Sequence, residues 1–250
     1  LKVGIKILSQ INIILCIIFL LFIFLTGPTS YILDGLVQNL GSYVQKLLSL
    51  STNTQGYSDS SWQNAWTLYY YSWWFAWSPF VGLFIARISY GRSIQEFLIG
   101  AVLVPTFIVF IWMGVFGNAA IYQEFIDPTS LSTAINNDIT ISLFIFLEQF
   151  PFSQIIMWLA IVIILTFFVT SSDSGALVTS MLTAAKKENF KDEPPMILRV
   201  IWALSLGVIS IVLLAGGGIG ALQTSVIVTG VPFAILVSFA ARSLLKDLNK

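Results

Sequence analysis

Hydrophobic and polar positions divide this chain into long apolar runs joined by short polar connections. A helix that crosses a bilayer takes about 20 apolar residues. Six stretches qualify: about 9–26, 62–86, 95–118, 146–180, 196–215 and 221–241. The fourth is long enough to tilt or to run past the bilayer. Between the first two, the pattern changes. Apolar residues recur at Leu33, Leu36, Val37, Leu40, Val44, Leu47 and Leu48, with Asp34, Gln38, Asn39, Ser42, Gln45 and Lys46 between them. That 3.6-residue period predicts an amphipathic helix over 31–50, starting after the helix-ending pair Gly27–Pro28. Its apolar stripe suits either a neighbouring subunit or the headgroup layer. Between the fifth and sixth stretches, the glycines of Leu214–Ser225 predict a tight turn.

Charge adds an orientation. Lys2 and Lys6 precede the first stretch, and Arg87 and Arg92 follow the second. Lys186, Lys187, Lys191 and Arg199 lie between the fourth and fifth, and Arg242, Lys246 and Lys250 follow the sixth. The alternate connections hold Asp34, Asp59, Glu124, Asp127, Asp138 and Glu148, with Lys46 as their basic residue. By the positive-inside rule both termini of this chain are expected in the cytoplasm of a multi-pass plasma-membrane protein.

Composition narrows the chemistry. The chain is 57% hydrophobic and 10% charged, values of the membrane class. There is no histidine, and the one cysteine, Cys16, sits inside an apolar run. A disulfide framework, a His-based zinc site and a Cys–His dyad are excluded. Net charge is zero, which leaves no electrostatic footprint for nucleic acid. A membrane enzyme would need a general base or metal cluster facing a cavity, and these residues offer neither. No catalytic residue and no cofactor is expected. The chain opens on Leu1 rather than Met, with no signal peptide ahead of the first run, as expected of a fragment.

The second stretch contains YYYSWWFAWSPF, Tyr69 to Phe80. Trp62 and Trp66 fit an interfacial belt. Trp77 is ten residues from Arg87, roughly 15 Å at the helical rise, so Trp73, Trp74 and Trp77 belong near mid-membrane. Trp66, Tyr70, Trp73 and Trp77 share one helix face, which Trp74 widens. Pro79 has no N–H for the Phe75 carbonyl, which predicts a kink or opening over 75–79. Irregular backbone at that depth belongs in a protein cavity, and broken midplane helices mark transporter sites. Aromatic faces without a carboxylate suit a quaternary ammonium, each face contributing about 0.5–2 kcal/mol. The competing interpretation is that the rings only fill space between helices.

The fourth stretch holds FFVTSSDSG, Phe167 to Gly175. Phe167, Thr170 and Ser171 share a helix face, where two hydroxyls and a freed carbonyl form three hard donors. The same spacing equally suits hydroxyls bonded to their own i−4 carbonyls. Asp173 is the one acid of this stretch, and a structural role is expected, bonded to Ser171, Ser172 or backbone.

Ser72–Phe97, SWWFAWSPFVGLFIARISYGRSIQEF, closely resembles the signature of the betaine/choline/carnitine transporter family. Gly4–Asn12, Thr26–Leu33, Phe167–Ala176 and Asp192–Pro195 resemble the same family in the same order. The resemblance implies an all-α membrane protein. Its six spans would form the second half of a twelve-helix inverted-repeat fold of the sodium-symporter type, with an outer amphipathic helix. Residues 1–61 would hold the last helix of the first repeat and the outer helix, and 62–250 the second five-helix repeat. It implies that Trp73, Trp74 and Trp77, with Tyr70 on their face, line the path of a trimethylammonium substrate. It also implies a sodium half-site at Phe167, Thr170 and Ser171, with Na⁺ as coupling ion. Residues 31–50 would then serve a homotrimer contact, and the partners would be the solute and membrane lipid. The function expected is uptake of a compatible solute such as glycine betaine, choline or carnitine by alternating access. Alternatives are a sodium-independent exchanger of the same family and a non-transporting sensor or fragment.

Overall fold

The computed structural model describes residues 2–58, 62–128, 130–184 and 194–248. Asp59, Lys186, Lys187, Lys191, Asp192 and Lys250 lie outside the described residues. The described elements are helices: α1 (Lys2–Thr26), α2 (Thr29–Thr52), α3 (Tyr69–Ile88), α4 (Ile94–Leu98), α5 (Val104–Ile126), α6 (Ser130–Asn137), α7 (Ser142–Glu148), α8 (Ser153–Thr183) and α9 (Met196–Leu248). π-helical turns at Gln63–Leu68 and Ile99–Leu103 lead into α3 and α5. The second of these lies just before Pro105. A proline there cannot donate to the carbonyl four residues back, and Val104 N–H reaches the Ile99 carbonyl instead.

Among the described residues, four stretches are long and apolar enough to cross a membrane: Lys6–Thr26, Ile94–Ile126, Ser153–Thr183 and Met196–Asp247. The last is long enough for two passes. It breaks at Gly217 (φ 176°) and Gly218 (φ 60°, ψ −144°), which confines the expected glycine turn to two residues. Only Gly218 requires a glycine for its positive φ. Residues 62–86 are not among the four, because their tyrosines and tryptophans carry polar atoms that lower mean hydropathy. The fourth predicted stretch proves shorter at its start. Pro151 and Phe152 (φ 56°) separate α7 from α8, so residues 146–148 belong to the preceding helix.

The helices form two compact units, one of residues 1–51 with 93–170, the other of 52–92 with 171–250. The first has a buried apolar centre. Phe19 and Ile23 of α1, Ile32 of α2, Val115 and Ala119 of α5, Phe146 and Leu147 of α7, and Ile156, Ala160 and Ile163 of α8 pack together. The predicted amphipathic helix is α2, and it begins directly after Pro28 as expected. It approaches α5 closely because small residues face larger ones. A Cβ on Gly35 would lie 2.5 Å from Asn118, and one on Gly114 would collide with Leu36. Asn39 Nδ2 donates to Asn118 Oδ1 at 3.3 Å. Ile32 is buried at this contact, while Leu33, Val37, Leu40, Val44 and Leu48 remain exposed on other faces of α2.

In the second unit α3 and α9 pack along one another. A Cβ on Gly230 would lie 2.7 Å from the Ser72 backbone, so only a glycine permits this approach. The start of α9 is tied to the end of α8 by Arg199 on Asp173, at 3.2 Å, and by Trp202 Nε1 donating to Thr183 Oγ1, at 2.8 Å.

Candidate functional site

The aromatic row stands on α3. A kink or opening was expected over 75–79; the helix does not open, running unbroken from Tyr69 to Ile88 with Pro79 inside it. Proline removes one hydrogen bond, that to the Phe75 carbonyl. The Ser78 hydroxyl replaces it, donating to Phe75 O at 2.9 Å. A single compensated defect is not enough to unwind a helix. The irregular turn lies instead at Gln63–Leu68, one turn ahead of the first tyrosine.

The tight contact of Ser72 with Gly230 determines which way the rings face. Ser72 is buried against α9. Trp73, Trp74 and Trp77 therefore emerge on other sides of α3 and are 41%, 57% and 39% exposed. They stack along their own helix. Tyr69 and Trp73 lie 6.0 Å apart and nearly parallel, Trp73 and Trp74 6.2 Å, and Trp74 and Trp77 5.3 Å edge to face. Tyr70 lies between, 6.1 Å from Trp66 and 5.9 Å from Trp73. Among the described residues, each ring contact of the three tryptophans is with another residue of α3. The rings thus form an open aromatic wall with accessible faces, suited to a diffuse cation.

Phe167, Thr170 and Ser171 lie in neighbouring turns of α8, which passes from one unit to the other between Thr170 and Ser171. The helix is regular there, so no carbonyl is freed by a break. Thr170 Oγ1 lies 3.0 Å from both the Thr166 and the Phe167 carbonyl oxygens and donates to its own helix. A donating hydroxyl keeps its oxygen lone pairs, and a carbonyl keeps a second one. The turn therefore remains able to present oxygen to a hard cation. Among the described residues, no group of three acidic or cysteine side chains converges as a metal site.

Two polar contacts in the apolar helices were not anticipated. Asp173 is held by Arg199 rather than by Ser171, Ser172 or backbone. A partner 26 residues away on another helix leaves no periodic trace in sequence. Asn12 of α1 is buried and bonded to Thr166 of α8. Here a signal existed, since a carboxamide inside an apolar run requires a partner.

A model of the betaine/carnitine/choline family transporters matches residues 1–250. The chain is 41% identical to the glycine betaine transporter of Acinetobacter baylyi over 247 residues, 98% of this chain and 37% of that protein. It is 37% identical to the ectoine/hydroxyectoine transporter of Virgibacillus pantothenticus, over 99% of this chain and 48% of that one. It is 36% identical to the high-affinity choline transport protein of Escherichia coli, over 98% and 36%. The chain thus spans less than half the length of these relatives. A match along its whole length, with the tryptophan row on α3 inside it, shows that the chain belongs to the betaine/carnitine/choline transporter family and so to transporters rather than enzymes.

Proposed function

We propose that the protein containing this chain takes up a quaternary-ammonium compatible solute by alternating access, driven by sodium. The observation that carries this reading is the aromatic wall of α3. Three tryptophans stand on α3 with open faces, and the contact that orients them, Ser72 on Gly230, is on another side of the helix. A cation without hydrogen-bond donors gains from such faces and needs no carboxylate. Relatives named for glycine betaine, choline and ectoine fit this class of solute.

Further parts of the proposal follow from the same residues. The six passes are α1, α3, the helix entering and forming α5, α8 and the two parts of α9. They make up the second half of a twelve-helix inverted-repeat transporter, with residues 62–250 as its second five-helix repeat. Both ends of the chain face the cytoplasm. Na⁺ would be held by the Phe167 carbonyl and the Thr170 and Ser171 hydroxyls, with its other ligands on helices outside this chain. The exposed stripe Val37, Leu40, Val44 and Leu48 of α2 supports a trimer contact.

Uptake of labelled glycine betaine by the full-length protein tests the reading, with and without a sodium gradient. Sodium-dependent uptake that Trp77→Leu weakens at least tenfold is the expected result. Uptake unchanged in sodium-free buffer would make the protein an exchanger. Intact ligand binding by Trp77→Leu would remove the aromatic wall from the site.

A further inference from the structure

Asn12 lies well inside the apolar α1 and is 4% exposed. A carboxamide buried at membrane depth is costly unless bonded, and interhelical bonds of this kind fix which helix faces meet. Its Oδ1 lies 2.9 Å from Thr166 Oγ1 on α8. The same hydroxyl is 2.9 Å from the Val162 and Ile163 carbonyls of its own helix. One hydroxyl proton is therefore shared between an internal bond and the neighbouring helix. Without Asn12 the hydroxyl returns entirely to α8 and the tie between the helices is lost.

Thr166 occupies the turn that leads into the ion half-site. Its carbonyl accepts from Thr170 Oγ1 at 3.0 Å, and residues 166 and 170 share a helix face. The adjacent Phe167, half exposed, lines an apolar cavity of about 470 Å³ together with Ile13, Cys16, Ile17 and Trp112. That turn of α8 is thus tied to α1 by the Thr166–Asn12 bond, and Phe167 borders the cavity that the same stretch of α1 lines. The Phe167 carbonyl and the Thr170 hydroxyl belong to the part so fixed.

We propose that Asn12 is a positioning residue for the cation half-site, setting the rotation of α8 through Thr166 so that the Phe167 and Thr170 oxygens share one direction. The proposal rests on the sodium reading above. It requires no contact between Asn12 and the ion. A plain helix-to-helix tie would alter the amount of folded protein, whereas a positioning residue alters sodium affinity.

The test is uptake of labelled glycine betaine by the full-length protein in proteoliposomes across a series of external sodium concentrations. Asn12→Ala is expected to raise the half-saturating sodium concentration about tenfold, with KM for betaine at saturating sodium within twofold of wild type. Thr166→Val, which keeps the shape and removes the hydroxyl, should match it, and Thr166→Ser should restore the wild-type value. The double variant Asn12→Ala/Thr166→Val should be no worse than either single one, since both remove the same bond. Should Asn12→Ala fail to reach the membrane, the Thr166→Val and Thr166→Ser pair decides alone. Unchanged sodium half-saturation in Thr166→Val, or additive losses in the double variant, overturns the proposal while leaving sodium coupling intact. A wild-type protein indifferent to sodium would instead overturn the coupling and this inference together.

Discussion

In the first unit, aromatic rings meet across helices: Phe19 lies 5.2 Å from Phe116 and 6.3 Å from Trp112, Phe22 lies 6.4 Å from Phe150, and Phe116 lies 6.2 Å from Phe146. In the second unit, among the described residues, the rings of α3 meet along their own helix and the turn that leads into it, at similar distances. The first arrangement excludes solvent and lipid and joins elements. The second joins nothing and leaves ring faces available. Spacing between rings is alike in the two units, while the first uses mostly phenylalanine and the second tryptophan and tyrosine. Whether an aromatic row is core or binding wall depends on what lies opposite it. For α3 that is decided by Gly230, whose missing side chain lets α9 take the Ser72 side and leaves the indoles on the others.

This contrast can be broken by experiment, starting with the largest effect. Leu147 of α7 is fully buried in the first unit. Leu147→Ala should destabilise the protein by about 2–5 kcal/mol, as cavity-forming substitutions do, while leaving the KM of surviving protein near wild type. Thermal unfolding in detergent beside uptake kinetics measures both. Trp77→Leu should do the reverse. Its melting temperature should barely change, and tryptophan-fluorescence titration with betaine should show an affinity loss of at least tenfold, or about 1.4 kcal/mol. If Trp77→Leu melts early at unchanged affinity, the α3 row is core after all and the contrast disappears.

Smaller effects sharpen it. Asp173→Asn leaves Arg199 facing a neutral amide in the second unit. Because both side chains are partly exposed, at 31% and 15%, a loss of roughly 1 kcal/mol is expected rather than the several of a fully buried pair. The charge-swapped double variant should recover most of the melting temperature, and no recovery would mean the pair does not tie α8 to α9. Asp138 should give the smallest response. It accepts from the Thr140 hydroxyl at 2.6 Å and from the Thr140 amide at 2.9 Å, and these bonds, the hydroxyl's first, hold its carboxyl below the usual carboxylate range. A lowered folded-state pKa stabilises above the ordinary carboxylate pKa, and that contribution disappears as pH falls through the folded value. Acid titration should therefore release the Thr140 amide resonance before anything changes in the core, and Asp138→Asn should flatten that response.

Much of the architecture is local and was legible in the chain. The apolar runs, the amphipathic period of α2 and the Gly27–Pro28 boundary each follow from residues within one or two turns. The tryptophan face of α3 is legible for the same reason, since helical spacing determines which residues share a side. The opening at Pro79 was expected from the same local logic and did not occur. The neighbouring Ser78 hydroxyl satisfies the carbonyl that proline leaves bare, and only the bonded structure reveals that choice. The split before α8 likewise required the left-handed Phe152 after Pro151.

Composition and periodicity determined by themselves that this chain is helical and built for a bilayer, because a bilayer forces every backbone polar group to be satisfied within its own segment. They also determined which side chains line up along each helix. Tertiary structure alone decided which of those faces are covered. Asn12 meets Thr166, Asp173 meets Arg199 and Ser72 meets Gly230 across separations that no local period encodes. A helix carries the same stripe whether or not another helix lies against it, so the difference between filler and binding wall arises only where helices pack.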